Sequence, residues 1–352
     1  MAAKVRVLIV DDSAFFRRRI REQLEHTGEV MIAGEASNGR EAVELAAGLR
    51  PDLITMDVAM PLLDGISAVR EIMRDHPTDI LMVSALTRDG ARATLDALHA
   101  GAVDFLAKQG GIGRPGEPPD VGGLGSRVIS IARRKRGRHL AGQLGSCAPI
   151  TSTAASGKAH GGCRRDTIRL VAIGASTGGP VAVQQVLGRL PADYPYPVLV
   201  GVHMPAEFTR TFAERLDSVC AIAVRHAADR DALLPGRALI APGGRQTMVE
   251  ASARGLRVRV VPGDDQLYRP SIDILFGSAA RALGNAVHAV VLTGMGADGA
   301  AGARLLKERG SSVWSQDQAS SVIFGMPHAV AKAGYSDRVL ALGDIGPALA
   351  GI

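Results

Sequence analysis

Aromatic residues are scarce in this chain, at 3% of 352 residues with a single tryptophan among them. A protein that stacks bases on aromatic platforms needs more than that, and no helix-turn-helix stands near the arginines. Cysteine is scarce too. Cys147, Cys163 and Cys220 have neither metal-ligand spacing nor the makings of a disulfide framework. No apolar run approaches the roughly 18 residues of a membrane span, and the opening "MAAKVRVLIVDDS" lacks a signal-peptide layout. Membrane insertion and nucleic-acid binding are therefore not expected, and the cytoplasm is the expected location. The formal charge of +6 pulls the other way, but much of it is local. "RRKRGRH" (133–139) and "CRRD" (163–166) border a Gly-, Ser-, Ala- and Thr-rich stretch, and read as a solvated helix end and linker.

What is present is the material of two cores. The length exceeds one ordinary domain, and 46% hydrophobic with 22% charged residues fits globular folding. Residues 1–108 alternate short apolar runs with helical periodicity. "VRVLIV", "MIAGEA", "PDLITMD", "DILMVSA" and "VDFLAK" read as strands of the buried, parallel kind. Helical segments between them argue for a doubly wound α/β sheet. "QGGIGRPGEPPDVGGLG" (109–125) interrupts the pattern, one more helix "SRVISIARRKR" follows, and 136–166 reads as a flexible linker. From 167 a second α/β block begins, with strands "IRLVAI", "PVLVGV", "CAIAVR", "RALIA", "VHAVVL" and "SVWSQ". "TMVEASARGLRVRVV" reads as a hairpin, so this second sheet is expected to be mixed. The expected division is 1–135, a linker at 136–166, and 167–352.

In the first block, carboxylates stand at the C-terminal ends of expected strands: Asp11 and Asp12 after the first, Asp57 after the third. Open α/β sheets bind ligands at that edge. Converging carboxylates suit a hard divalent cation such as Mg²⁺. Ser84 and Lys108 end the fourth and fifth strands, adding a hydroxyl and a cation. Together these residues resemble the receiver domain of two-component response regulators, a flavodoxin-like fold with a five-stranded parallel sheet. The resemblance implies that Asp57 accepts a phosphoryl group from a histidine kinase. It also implies that Asp11, Asp12 and Asp57 hold Mg²⁺, and that Ser84, Phe105 and Lys108 form the switch. Two positions depart from the family pattern: Gln109 follows the lysine where proline is usual, and Ala59 stands where the nearest relatives often carry glutamate.

In the second block, "RLVAIGASTGGP" sets Ser176 at a strand-to-helix turn. It matches both the nucleophile-elbow pattern and a loose dinucleotide fingerprint. The next strand discriminates. A dinucleotide site wants an acidic residue at its end, but "VLVGVHMP" puts His203 there. If the strands are adjacent and parallel, Ser176 and His203 emerge side by side, an imidazole beside a hydroxyl that needs a base. Asp298 in "AVVLTGMGADGA" is the best candidate to orient the imidazole. Asp273 competes but reads as a first-turn helix residue, while His226, His288 and His328 read as packing, surface or secondary groups. The order Ser–His–Asp does not fit an ordinary α/β-hydrolase.

The segments "GASTGGP", "HMPAEFTR", "LPGRALIAPGG", "YRPSIDILF", "LTGMGADGAAG" and "FGMPHA" resemble the catalytic domain of bacterial chemotaxis protein-glutamate methylesterases. The resemblance implies Ser176 as nucleophile, His203 as general base and Asp298 as orienting acid. Thr177 borders the nucleophile, and the Met295 amide is a candidate oxyanion donor. It further implies methyl-accepting chemotaxis receptors as substrates, a chemotaxis histidine kinase as phosphodonor, and restraint of the hydrolase until the receiver is phosphorylated. Deamidation of receptor glutamines and no cofactor for ester hydrolysis are also implied. Gln246 departs from the family, where histidine is common, and no catalytic role is expected of it.

Overall fold

The computed structural model describes residues 3–108, 123–143, 168–253, 255–263 and 266–352. Gln109, residues 109–122 of the insertion, residues 144–166 of the expected linker, Cys147 and Cys163 lie outside the described residues. The chain divides into two compact units, residues 1–159 and 160–352.

The first unit is a parallel sheet of β1 (Val5–Val10), β2 (Val30–Ala36), β3 (Leu53–Asp57), β4 (Asp79–Ser84) and β5 (Asp104–Ala107), ordered β2-β1-β3-β4-β5. It alternates with α1 (Ala14–His26), α2 (Gly39–Leu49), α3 (Gly65–Asp75), α4 (Arg88–Ala100) and α5 (Leu124–Gln143). Every residue of β3 and β5 is buried, as expected where helices cover both faces of a sheet. Polar side chains start the helices: Asn38, Asp64 and Thr87 accept the backbone N–H of Glu41, Ser67 and Gly90. All five strands match the sequence expectation within a residue or two. Helix α5 is longer than expected, because its Arg, Lys, Ala and Leu residues are good helix formers that carry it past Gly137. The expected linker start at 136 therefore falls inside this helix.

The second unit has a seven-stranded sheet ordered β14-β13-β12-β6-β7-β9-β8. Its strands are β6 (Leu170–Ala175), β7 (Val198–Val202), β8 (Ala223–His226), β9 (Arg237–Ile240), β12 (Val287–Val291), β13 (Ser312–Gln316) and β14 (Arg338–Leu340). Every pairing in it is parallel. The expectation of a mixed sheet is thus corrected. The antiparallel ladder of β10 (Gln246–Ser252) and β11 (Gly255–Val261) forms a separate two-stranded sheet. Beyond its own ladder, β11 exchanges backbone bonds with residues 230–233, and Val249 N–H donates to Ser278 Oγ on a neighbouring helix rather than to a strand of the main sheet. The helices are α6 (Gly179–Leu187), α7 (Ala206–Val219), α8 (Ile272–Leu283), α9 (Ala300–Glu308), α10 (Met326–Lys332) and α11 (Leu342–Ala350).

The winding places the site. From β6 the chain fills one side of the sheet through β7, β8 and β9, then crosses to β12 on the other flank of β6. The strand order reverses between β6 and β12, and open α/β sheets hold ligands at such a crevice. Ser176, His203 and Asp298 all follow these three adjacent strands.

Candidate active site and receiver pocket

Ser176 follows the fully buried β6 and precedes Gly178, which takes a left-handed φ of 74° to start α6. A Cβ at Gly178 would lie 2.5 Å from Val322 Cγ2, so the turn needs glycine on two grounds. Ser176 N–H donates to Thr293 O at 3.0 Å, and His203 N–H donates to Ala175 O at 3.2 Å. The second bond extends the β6–β7 ladder by one residue. Gly294 backs directly onto the serine, since a Cβ there would stand 2.8 Å from Ser176 Cβ.

The three expected residues meet in a hydrogen-bonded line. His203 Nδ1 is 3.0 Å from Ser176 Oγ, and Nε2 is 2.8 Å from Asp298 Oδ2. All three residues are largely shielded from water, with Ser176 at 7% and Asp298 at 6% exposure. An imidazole that donates Nε2–H to Asp298 leaves the Nδ1 lone pair facing the hydroxyl, which is the tautomer a base requires.

Asp298 is anchored at the N-terminus of α8. Its Oδ2 also accepts Ile272 N–H at 2.7 Å, and its Oδ1 accepts Ser271 Oγ–H and Asp273 N–H, each at 3.0 Å. Burial pushes this carboxyl up, but the hydrogen bond and charge of His203 and the two backbone donors outweigh it and hold it below the usual carboxylate range. The helix N-terminus favours the same negative charge. Asp273, expected as a first-turn residue, is one, and it returns the arrangement. Its Oδ1 accepts Gly299 N–H at 2.9 Å and Gly302 N–H at 2.7 Å, so it caps the helix that follows Asp298. Burial pushes the Asp273 carboxyl up, with the Asp298 charge adding to the effect against the Gly302 and Gly299 bonds.

Two further residues complete the surroundings of the imidazole, and the sequence did not single them out. Tyr268 stacks flat on His203, with ring centroids 4.4 Å apart. Ser271 caps α8 through Ile274 N–H while bonding Asp298. Serine before a helix was a signal for Ser271, and both lie in "YRPSIDILF", which carried the family resemblance without pointing to a role for either. Among the described residues, the N–H groups of Thr177 and Met295 take no backbone partner, whereas that of Ser176 is already used. Thr177 is 1% exposed, and its hydroxyl oxygen is buried without a partner.

The other histidines stand apart. His226 Nε2 bonds Thr209 Oγ1 at 3.0 Å, His328 packs on Phe324, and His288 packs edge-on against Trp314. Burial pushes His288 down to about 4.

In the first unit, carboxylate oxygens of Asp11, Asp12 and Asp57 lie within 4.8 Å of one another. Lys108 Nζ stands 2.7 Å from both Asp11 Oδ2 and Asp57 Oδ2, over the ring of Phe16. Burial pushes the Asp11 carboxyl up against the lowering bond from Lys108, with the Asp57 charge adding to the rise. Burial alone would lower Lys108, but its bonds to Asp11 and Asp57 raise it. An all-oxygen, anionic donor set with its remaining charge matched by one ammonium fits a hard divalent cation of the Mg²⁺ kind. Ser84 is buried at the end of β4, its hydroxyl 3.4 Å from the carbonyls of Ala85 and Gly90. Phe105 is buried on β5, where its carbonyl accepts from Arg127 at 3.1 Å. Ala59 is exposed.

The chain thus joins a flavodoxin-like unit with an acidic pocket to a parallel α/β unit with a hydrogen-bonded Ser–His–Asp line at its strand ends. The CheB methylesterase family profile matches residues 171–349, and the response-regulator receiver profile matches residues 7–114. The chain is 49% identical over 99% of both lengths to a protein-glutamate methylesterase/protein-glutamine glutaminase of Alkalilimnicola ehrlichii. It is 53% identical over 97% of both lengths to such a protein of Pseudomonas aeruginosa. The crystal structure of the Thermotoga maritima CheB methylesterase catalytic domain covers 52% of this chain and 98% of its own, at 36% identity and a TM-score of 0.51. The chain belongs to the CheB methylesterase family and carries that family's receiver domain.

Proposed function

We propose that this chain hydrolyses glutamate γ-methyl esters on methyl-accepting chemotaxis receptors, under control of phosphorylation at its own receiver. The observation that carries the reading is the continuous line Ser176 Oγ, His203 Nδ1, His203 Nε2, Asp298 Oδ2 at the ends of adjacent strands. Ser176 Oγ attacks the ester carbonyl carbon while Nδ1 takes its proton. Asp298 holds the resulting imidazolium by accepting Nε2–H. The negative oxygen of the tetrahedral intermediate is held by the N–H groups of Thr177 and Met295, which the backbone leaves unused. The imidazolium returns its proton to the departing methoxy oxygen, and methanol leaves. Water, giving a proton to Nδ1, then attacks the glutamyl ester of Ser176; the imidazolium returns that proton to the departing Ser176 Oγ, and the glutamate carboxylate is freed. A glutamine side chain enters the same sequence with ammonia as leaving group, which makes deamidation a second activity of the site. This chemistry needs no cofactor.

Asp57 is the phosphoacceptor for a chemotaxis histidine kinase, with Lys108 placed to pair with the added charge. Asp11, Asp12 and Asp57 would hold Mg²⁺, which supplies positive charge to the phosphoryl oxygens when bound. Ser84 and Phe105 are the switch residues. The working division is a receiver that ends with the helix Leu124–Gln143, a linker from there to 166 and a catalytic domain at 167–352. No helix among the described residues is long and apolar enough to cross a membrane, and the proposed location is cytoplasmic.

Hydrolysis of methylated receptor membranes in ¹⁸O-water tests the chemistry. Attack at the acyl carbon puts the label in the glutamate carboxylate. Label in methanol would mean attack on the methyl carbon and would exclude a Ser176 ester intermediate.

A further inference from the structure

Gln246 opens β10 and is 3% exposed, at a position to which neither the sequence nor the reaction assigned a task. Its amide is spoken for at both ends. Nε2–H donates to Tyr268 O at 2.7 Å, and Oε1 accepts Ser271 N–H at 2.8 Å. Those partners allow one orientation only, because a carbonyl cannot donate and a backbone N–H cannot accept. Gly263 makes the room, since a Cβ there would lie 2.9 Å from Gln246 Nε2.

Of the two residues gripped by this amide, one touches the imidazole and the other the carboxylate. Tyr268 stacks on the His203 ring, and Ser271 Oγ donates to Asp298 Oδ1. The segment from 268 to 271 thus bridges the base and its orienting acid. A backbone bond, Gly244 N–H to Arg269 O at 3.1 Å, holds its middle.

We propose that Gln246 is a positioning residue: one buried amide, by clamping both ends of the segment 268–271, sets His203 and Asp298 relative to each other. This rests on the reading of Ser176, His203 and Asp298 as the catalytic residues. The amide offers one donor and one acceptor at fixed separation and carries no charge at any working pH. A neutral imidazole offers the same pair at similar spacing, while a protonated one has only donors. Leucine fills comparable space with neither.

The test compares the wild-type full chain with Gln246→Leu and Gln246→His. Each is assayed for methanol release from methylated receptor membranes, and for the downfield proton signal of the His203 Nε2–H bond to Asp298. A misplacement on the ångström scale costs up to about 10²-fold in rate. Gln246→Leu is therefore expected to lower kcat roughly ten- to hundredfold with KM changed less than about threefold, and to shift or broaden the proton signal. Gln246→His is expected to restore both near pH 8, where a neutral ring supplies the same donor and acceptor. A folded Gln246→Leu with unchanged kcat and proton signal would overturn the proposal. Should leucine prevent folding, a folded Gln246→His whose kcat and proton signal near pH 8 fall as far as expected for leucine would overturn it equally. A wild-type chain that releases no methanol while the proton signal still responds to residue 246 would count against the esterase reading and leave the clamp standing.

Discussion

The Tyr268 ring lies on the His203 imidazole with only 4° between their planes and 4.4 Å between their centroids. A stacked ring limits how far the imidazole can turn, and its π face favours the imidazolium formed when Ser176 gives up its proton. Such contacts contribute ~0.5–1.5 kcal/mol, which corresponds to roughly a two- to tenfold effect on rate. Tyr268→Ala is accordingly expected to lower kcat by about that factor, while Tyr268→Phe stays within about twofold of wild type. Steady-state methanol release separates the two variants. Equal losses in both would point to the hydroxyl rather than the stack.

Replacing Asp298 by asparagine removes the acceptor that keeps the proton on Nε2. The ring then protonates Nδ1, which can no longer take the Ser176 proton. A loss of the order of 10⁴ in kcat is expected, as in other sites where the orienting acid is amidated.

The same variant carries a stability signature. The Asp298 carboxyl is held below its ordinary value, so its ionised form favours the folded state. That contribution is fully present above the unfolded value of about 4, and is lost as pH falls through the folded value. The stability difference between wild type and Asp298→Asn should be flat near neutrality and shrink in acid. Denaturant titrations at several pH values read it. A difference that grew in acid would contradict the assignment.

Asp11 behaves in the opposite sense. Burial pushes its carboxyl up, so the folded state prefers it protonated, and that preference is lost as pH rises through the folded value. At neutral pH without metal, the ionised group therefore costs stability. Asp11→Asn is expected to raise the thermal midpoint in metal-free buffer and to remove most of the further rise that Mg²⁺ gives the wild type. Calorimetry with and without Mg²⁺ checks this. An asparagine variant that still gained fully from Mg²⁺ would place the ion elsewhere.

The sequence revealed strands well where both faces are covered, because burial on two sides writes an uninterrupted apolar run such as "LVAI" or "VLVGV". The proposed catalytic side chains were legible for a related reason. Ser176, His203 and Asp298 each come shortly after such a run, so strand ends could be lined up before any contact was known. What could not be read depended on placement across the fold. The edge strand β14 has only three residues, none buried, and left no pattern. The hairpin announced itself, but a hairpin does not say which sheet it joins, and it joined none. Which nitrogen of His203 faces Ser176 is fixed by ring orientation, which sequence does not encode locally. Tyr268, Ser271 and Gln246 converge from a loop, a helix cap and a strand start, with spacing that carries no signal.

The most direct measurement is methanol release from methylated receptor membranes by the wild-type chain and by Ser176→Ala, each with and without a small-molecule phosphodonor. The account predicts release that rises with the donor in wild type and is lost, by roughly 10⁴-fold or more, in the serine variant. Release by Ser176→Ala at the wild-type rate, from a folded protein, would contradict it.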